Sequence, residues 1–400
     1  MGIASTHALA EQQRVVVQPL LSTETYPEAT KPSTQNTGAE APKELEVVSC
    51  NISYNQPSEF RESANGTRSR VDRIRRPKEV SFEVVSEIMP PGGSTEPDVG
   101  PLMHSGTGTR TTGDPVTYSL SDTQGAQISL SIYQQWADVF QHCCWGAVVN
   151  EIVTTVSQGD TPKMTFRGPA SGYGWAGNNT IAAGGATSAT QTVADGGAQE
   201  FGPGGIVKVG SEDGTNGDGL EISSVDTLSH TLTLDESITT TGGEAVVPFL
   251  EAIGARTDSP ASGLEGSVNL NFTEANFDET DFPILELEIT HANAVTGQYK
   301  AFKDAVQDMT ASRRTVTGTM KVLLTNTRAF MVGVRNNYTQ PSVTVLIGDA
   351  LNGLTITMGA VEFDFSDLEI PDEGPAVIAL PFTALSTSRT AMDEIKYEWS

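Results

Sequence analysis

Five histidines, three cysteines and many carboxylates are the side chains of this sequence that could do acid-base, nucleophilic or metal chemistry. His7, His104, His142, His230 and His291 are far apart, and none shares the four-residue spacing that sets two imidazoles around a metal on one helix face. They read as packing or surface residues. Cys50 stands alone, and Cys143 and Cys144 are neighbours without a Cys-x-x-Cys spacing, so neither a disulfide framework nor a zinc site is indicated. Buried free thiols in a reducing compartment are expected. GPASG and GSEDG place a serine among glycines, but neither has the G-x-S-x-G order that exposes and activates a nucleophile. In EDGTNGDG, Asp213, Asn216 and Asp218 are hard oxygen donors, yet the ligand spacing and closing glutamate of a calcium loop are missing, which favours a solvated turn. GPGGIVKVG precedes a strand pattern and lacks the helix dipole that holds a phosphate. Acidic pairs are too common to single out a glycosidase couple. The expectation is a protein with no cofactor, no metal and no catalytic activity.

With 50 acidic residues against 24 basic ones, the chain has a formal net charge of -26. So acidic a protein repels phosphates, which argues against general nucleic-acid binding. One stretch breaks the pattern: RESANGTRSRVDRIRRPK, from Arg61 to Lys78, holds seven basic residues against two acidic ones. Such a run is often a solvated loop. An acidic chain that packs against its own copies must also offset like-charge repulsion, and a cationic loop docked on a neighbour does so. Arg61, Arg68, Arg70, Arg73, Arg75, Arg76 and Lys78 are therefore candidate inter-subunit contacts.

The elements around this stretch read as strands. ELEVVSCNIS (44–53) precedes it, and KEVSFEVVSE (78–87) follows, alternating Val80, Phe82 and Val84 with Glu79, Ser81 and Glu83. The basic stretch is thus a loop far longer than a tight hairpin turn, reaching away from its own core. Thirty-nine glycines and long Thr, Ser and Val runs point to a mainly β chain. Residues 1–43 read as an extended N-terminal arm, since 22–43 are polar and Pro-rich without a hydrophobic period. Residues 44–168 and 264–400 read as one β-domain. The segment 169–263, with GGATSAT and EDGTNGDG between short apolar runs, reads as an inserted small β-domain whose replacement by a linker should preserve assembly.

Two segments carry helix signals. QWADVFQHCCWG could place Trp136, Val139, Phe140 and Cys143 on one helix face, or form a hairpin turning near Gly146. TRAFMVGVRNN sets Phe330, Met331 and Val334 on the stripe of a short helix. In the C-terminal part Leu285, Leu287 and Ile289 alternate with Glu286 and Glu288, and Val361, Phe363 and Phe365 with Glu362 and Asp364, so these strands should have one wet, acidic face. No run of eighteen apolar residues and no export leader is seen, and membrane insertion is not expected.

The order of segments resembles the major tail tube protein of long-tailed, non-contractile bacteriophages. The likeness is carried by RSRVDRIRRPKEVSFEVV, DVGPLMHSGTG and WGAVVNEIVTTVSQGDTPKMTFRGPA, then by LELEITHANAV, SRRTVTGTMKVLL, SVTVLIGDALNGLTITMGAVEFDF and GPAVIALPFTAL. It implies a tail-tube-type β-sandwich or barrel and a structural virion protein, assembled in the host cytoplasm. Six copies would form a ring, rings would stack into a tube that delivers DNA without binding it specifically, and other tail proteins would meet the tube ends. Glu286, Glu288, Glu362 and Asp364 are then candidates for the lumen wall, where carboxylates repel phosphates. Two other classes stay open. A capsid decoration protein, adhesin or carbohydrate-binding module would use exposed aromatics, for which Tyr173 and Trp175 in SGYGWAG are the candidates. A polysaccharide-degrading enzyme would need a cleft with a paired acid and base.

Overall fold

The alternating segments form antiparallel strands in a computed structural model that describes residues 13–22, 26, 28–60, 73–91, 96–123, 126–183, 187–253, 260–261, 264–272, 278, 280, 282–300, 303, 305–323, 340–364 and 377–400. The chain is mainly β, consistent with a sandwich or barrel, with one short α-helix among the described residues. Its largest sheet has eight strands, in the order Ala360–Phe363, Val377–Leu385, Thr315–Leu323, Ile284–Ala292, Glu151–Ser157, Lys163–Ala170, Glu79–Glu87 and Val47–Asn55. Period-two alternation decides its faces: Val80, Phe82 and Val84 are buried while Glu79 and Ser81 are exposed, and Leu287 and Ile289 are buried while Glu286 and Glu288 are exposed.

The apolar face of this sheet shares one core with two smaller sheets. One has six strands, ordered Gly266–Asn271, Ser342–Gly348, Gly353–Met358, Lys396–Trp399, Val116–Leu120 and Gly108–Thr111. The other has five, ordered Gly172–Ala176, Phe140–Ala147, Leu130–Trp136, Gln13–Pro19 and Lys43–Leu45. Of the segment read as an N-terminal arm, Gln13–Pro19 is thus an interior strand, and Val15, Val16 and Val17 have no exposed surface.

The α-helix, Gly100–Thr107, lies where no helix was expected. Apart from His104 all its residues are buried, so it shows no polar face and no 3.6-residue period. Pro101 sits in its first turn, and Gly108, at φ 88°, closes it with a hydrogen bond to the His104 carbonyl. The helix expected at 327–337 lies outside the described residues.

QWADVFQHCCWG is a hairpin, but its turn is not at Gly146. Trp136 pairs with Phe140 across a turn at Ala137, whose φ is 44°, and Gly146 marks a register shift between Cys144 and Ala147. Buried glutamines hid the pattern: Gln134 donates to Cys50 O, and Gln141 to Phe249 O.

The Gly-rich segment builds a further six-stranded sheet, ordered Asn179–Thr180, Ala245–Pro248, Ile206–Val209, Leu220–Asp226, Thr231–Thr239 and Thr187–Thr192, with its own core around Phe201, Leu220, Ile222 and Val246. A second apolar cluster joins it to the five-stranded sheet, where Ile206 and Leu250 pack with Val16, Tyr133 and Cys143. Gln141 Oε1 accepts from Ile206 N at 2.9 Å, and Cys143 Sγ donates to Gly204 O at 3.2 Å. The segment expected to make few contacts with the rest of the chain thus shares buried ones with the five-stranded sheet.

Candidate functional site

The acidic residues singled out in the C-terminal strands come together. Register places Glu362 beside Thr383, Thr383 beside Thr317 and Thr317 beside Thr290, while Glu288 lies beside Thr319 in the next row. Asp364 continues the edge strand and donates its N–H to Pro381 O at 2.8 Å. Glu288, Glu362, Asp364 and these threonines line a shallow hollow of about 540 Å³. Glu286 is one step away on the same face and pairs with Lys321. Directly opposed residues share a sheet face, so this is a wall of hydroxyls and exposed carboxylates.

The wet face continues across the sheet. Arg167 donates to Glu151 Oε1 at 3.0 Å and to Glu83 on its other side. Its pKa is raised, chiefly by the hydrogen bond it donates to Glu83. These pairs are exposed and hold strands in register with little net energy.

The basic stretch is positioned by the opposite margin of the same sheet. Between the strands Val47–Asn55 and Glu79–Glu87 the chain leaves the sheet as a two-stranded ribbon, Ser58–Phe60 against Arg73–Arg75, with Ser58 opposite Arg75 and Phe60 opposite Arg73. Arg75 and Arg76 are exposed, and Lys78 is half-buried with its carbonyl accepting from Tyr299 Oη at 3.2 Å. Arg61, Arg68 and Arg70 lie outside the described residues. The ribbon thus leaves the sheet beside its Val47–Asn55 edge, while the acidic hollow spans the four strands on the other side, from Ala360–Phe363 to Ile284–Ala292, a relation that strand alternation by itself does not reveal.

Tyr173 and Trp175 belong to a longer aromatic run. Tyr54 stacks on Tyr173 at 5.1 Å between ring centroids, Tyr173 lies 5.9 Å from Trp175 and 6.0 Å from His142, and His142 lies 5.0 Å from Trp136. Tyr54 is exposed and the other rings half-buried. Gln134 Oε1 accepts from His142 Nε2 at 2.5 Å, and His142 Nδ1 lies 3.3 Å from Tyr173 Oη. Burial pushes its pKa down to about 4.

His291 is fully buried, pushed down to about 4 by burial, and donates to Asn293 Oδ1 at 3.2 Å. Burial lowers His104 as well, and His230 sits in a turn at φ 56°. His7 lies outside the described residues. Cys143 and Cys144 are buried free thiols and Cys50 is half-buried, with its pKa pushed up to about 12 by burial. In the turn read against calcium, lysines meet the carboxylates: Lys31 Nζ is 2.9 Å from Asp218 Oδ1, and Lys208 Nζ is 3.5 Å from Asp213 Oδ2. Among the described residues no group of three or more His, Cys, Asp or Glu is arranged to hold a metal ion. Sequence reasoning missed Lys31, because its partners are nearly two hundred residues away.

The chain matches no protein-family model, and no curated protein is significantly similar to it. Among the described residues no helix is long and apolar enough to cross a membrane.

Proposed function

We propose that this chain is a structural protein that assembles with copies of itself into stacked rings, six copies to a ring, forming the tail tube through which a bacteriophage delivers DNA. The observation that carries this reading is an acidic hollow on one side of the eight-stranded sheet and a ribbon bearing exposed Arg75 and Arg76 that leaves the sheet beside its opposite edge. Eight strands put the two edges roughly 35 Å apart, so a copy cannot satisfy one edge with the other. Neighbouring copies can. A contact between unlike edges is heterologous and generates a ring when the rotation closes, and closure removes the strand edges that otherwise invite uncontrolled pairing. The hydroxyl and carboxylate face fits a lumen wall, because a conduit should not bind its cargo. Six-fold closure, the virion tail as location and contacts with other tail proteins at the tube ends rest on the segment resemblance. The role uses no catalytic residue and no cofactor.

Electron microscopy of the purified protein at rising concentration and at several salt concentrations tests the reading. Rings or tubes are expected. A stable monomer under every condition would overturn it.

The aromatic run favours a second reading, a carbohydrate-binding decoration protein or adhesin, in which Tyr54, Tyr173 and Trp175 meet sugar rings. Oligosaccharide binding that is lost on Trp175→Ala, by a chain that forms no rings, would select it.

A further inference from the structure

Lateral closure leaves the ends of the strands unused, and in the six-stranded sheet that runs from Gly266–Asn271 to Gly108–Thr111 the two ends differ. At one end the hairpin between Ser342–Gly348 and Gly353–Met358 exposes Leu351 by 85%. This leucine is held in place. Asp349 Oδ1 accepts from the backbone N–H of Leu351 at 2.7 Å and of Asn352 at 2.8 Å, so the turn is preformed and little conformational entropy is lost on docking.

At the other end is an open cleft of about 680 Å³ whose walls include Leu20, Leu21, Ile128 and Met309. Two polar atoms at this cleft are buried without a partner among the described residues: Oγ of Ser129, a residue only 8% exposed, and Nε of Arg314. The other Arg314 nitrogens are engaged, one donating to Ser121 O at 2.9 Å and one lying 2.8 Å from Asp122 Oδ1. An unsatisfied buried donor costs about 1 to 3 kcal/mol, and acceptors brought by an occupant would remove that cost.

Register fixes the relation of tip and cleft. Leu354, just past the tip, pairs with Trp399, and Trp399 with Val116, whereas Thr357 pairs with Lys396, and Lys396 with Ser119, just before the cleft residues Ser121 and Asp122. At about 3.3 Å per residue the two features are roughly 20 Å apart. No copy reaches its own cleft with its own tip.

We infer that Leu351 of one copy inserts into this cleft of the copy stacked upon it, with the carbonyl and side-chain oxygens of the Asp349–Asn352 turn accepting from Ser129 Oγ and Arg314 Nε. The inference rests on the self-assembly reading and names the axial contact, which is separate from the lateral edges. A knob at one end and a hole at the other make a heterologous contact that repeats without closing, as a stack of rings requires. The hairpin of the inserted sheet supplies a control built on the same plan. Asp226 Oδ1 accepts from Leu228 N at 2.8 Å and from Ser229 N at 3.3 Å, and Leu228 is 92% exposed.

The test uses the full chain under conditions in which the wild type forms tubes. Leu351→Ser is expected to raise the concentration needed for tubes by roughly tenfold or more while rings persist, Leu351→Met to restore tubes, and Leu228→Ser to leave them unchanged. Both leucines are exposed, so circular dichroism should match the wild type in every variant. The double variant Leu351→Cys, Met309→Cys should give a ladder of disulfide-linked copies on oxidation, which neither single variant gives. Normal tubes from Leu351→Ser together with no ladder would overturn the axial contact and leave the tube reading standing. Loss of tubes in Leu228→Ser but not in Leu351→Ser would move the knob to the inserted sheet and also overturn it. A wild type that never assembles would remove both.

Discussion

Lys31 Nζ lies 2.9 Å from Asp218 Oδ1 and 3.1 Å from Asp235 Oδ2, and it donates to the Gly219 carbonyl at 2.9 Å. A segment near the N-terminus is thereby tied to the Gly-rich sheet. The Asp218 side chain is only 5% exposed, so its charge has left water and Lys31 compensates it. Burial pulls the Lys31 pKa down, but the two carboxylates together outweigh it and the net shift is upward. Lys31→Met should therefore cost about 2 kcal/mol or more, since it leaves Asp218 buried and uncompensated. Chemical denaturation at neutral pH reads this directly. A raised lysine pKa makes the contribution complete at neutral pH and lost only as pH climbs through and above the ordinary lysine range.

Replacing residues 171 to 260 with a short linker should yield a poorly soluble or strongly destabilised chain. The change removes the edge strand Gly172–Ala176, uncovers Val16, Tyr133 and Cys143, and strips Gln141 of its partners at Ile206 and Phe249. Soluble expression and the thermal midpoint are the measurements. A well-folded truncated chain would mean that the joining cluster contributes little.

Acid should destabilise the fold through its buried imidazoles. His291 is held near 4 in the folded chain against an ordinary value near 6.5, so between these values the unfolded state binds more protons and stability falls as pH falls. For the fully buried His291 the full effect is about 3 kcal/mol; His142 acts in the same direction and more weakly, being partly open to solvent. Denaturation midpoints between pH 4 and pH 7 should show a steeper fall for the wild type than for His291→Gln. Parallel curves would assign the acid response to other groups.

Reversing Arg68, Arg70, Arg73, Arg75 and Arg76 to Glu together should abolish rings and tubes while leaving the strand signal in circular dichroism intact. Single reversals should do little, because an exposed ion pair contributes only about 0.2 to 1 kcal/mol, but repulsion repeats at every interface of a ring. Assembly of the wild type should weaken as salt rises. Ordinary tubes from the five-fold variant would exclude the basic ribbon as a contact. Tight, salt-sensitive DNA binding by the wild type that the variant lacks would instead favour nucleic-acid binding by the ribbon.

The mainly β class and the two-faced character of the strands were legible in the sequence because both depend on local alternation. Val80, Phe82 and Val84 against Glu79 and Ser81, and Leu287 and Ile289 against Glu286 and Glu288, specify which face is dry whichever strands lie alongside. The Gly100–Thr107 helix and the Trp136–Phe140 turn escaped for a common reason. Burial on all sides erases the helical period, and buried glutamines satisfied by distant carbonyls look like solvent-facing residues.

Strand order is another matter, since it is set by which distant segments bury their apolar faces together. Nothing local in Glu362 or Arg75 says that one stands on an edge strand of the large sheet and the other on a ribbon that leaves it beside the opposite edge, nor in Leu351 that it lies at the end of its sheet away from the cleft holding Ser129. Alternation along one strand encodes a face, while position across the sheet and along the strand axis is a property of the whole packed set. The candidate residues came from the sequence, and their arrangement into edges and ends was decided by tertiary pairing alone.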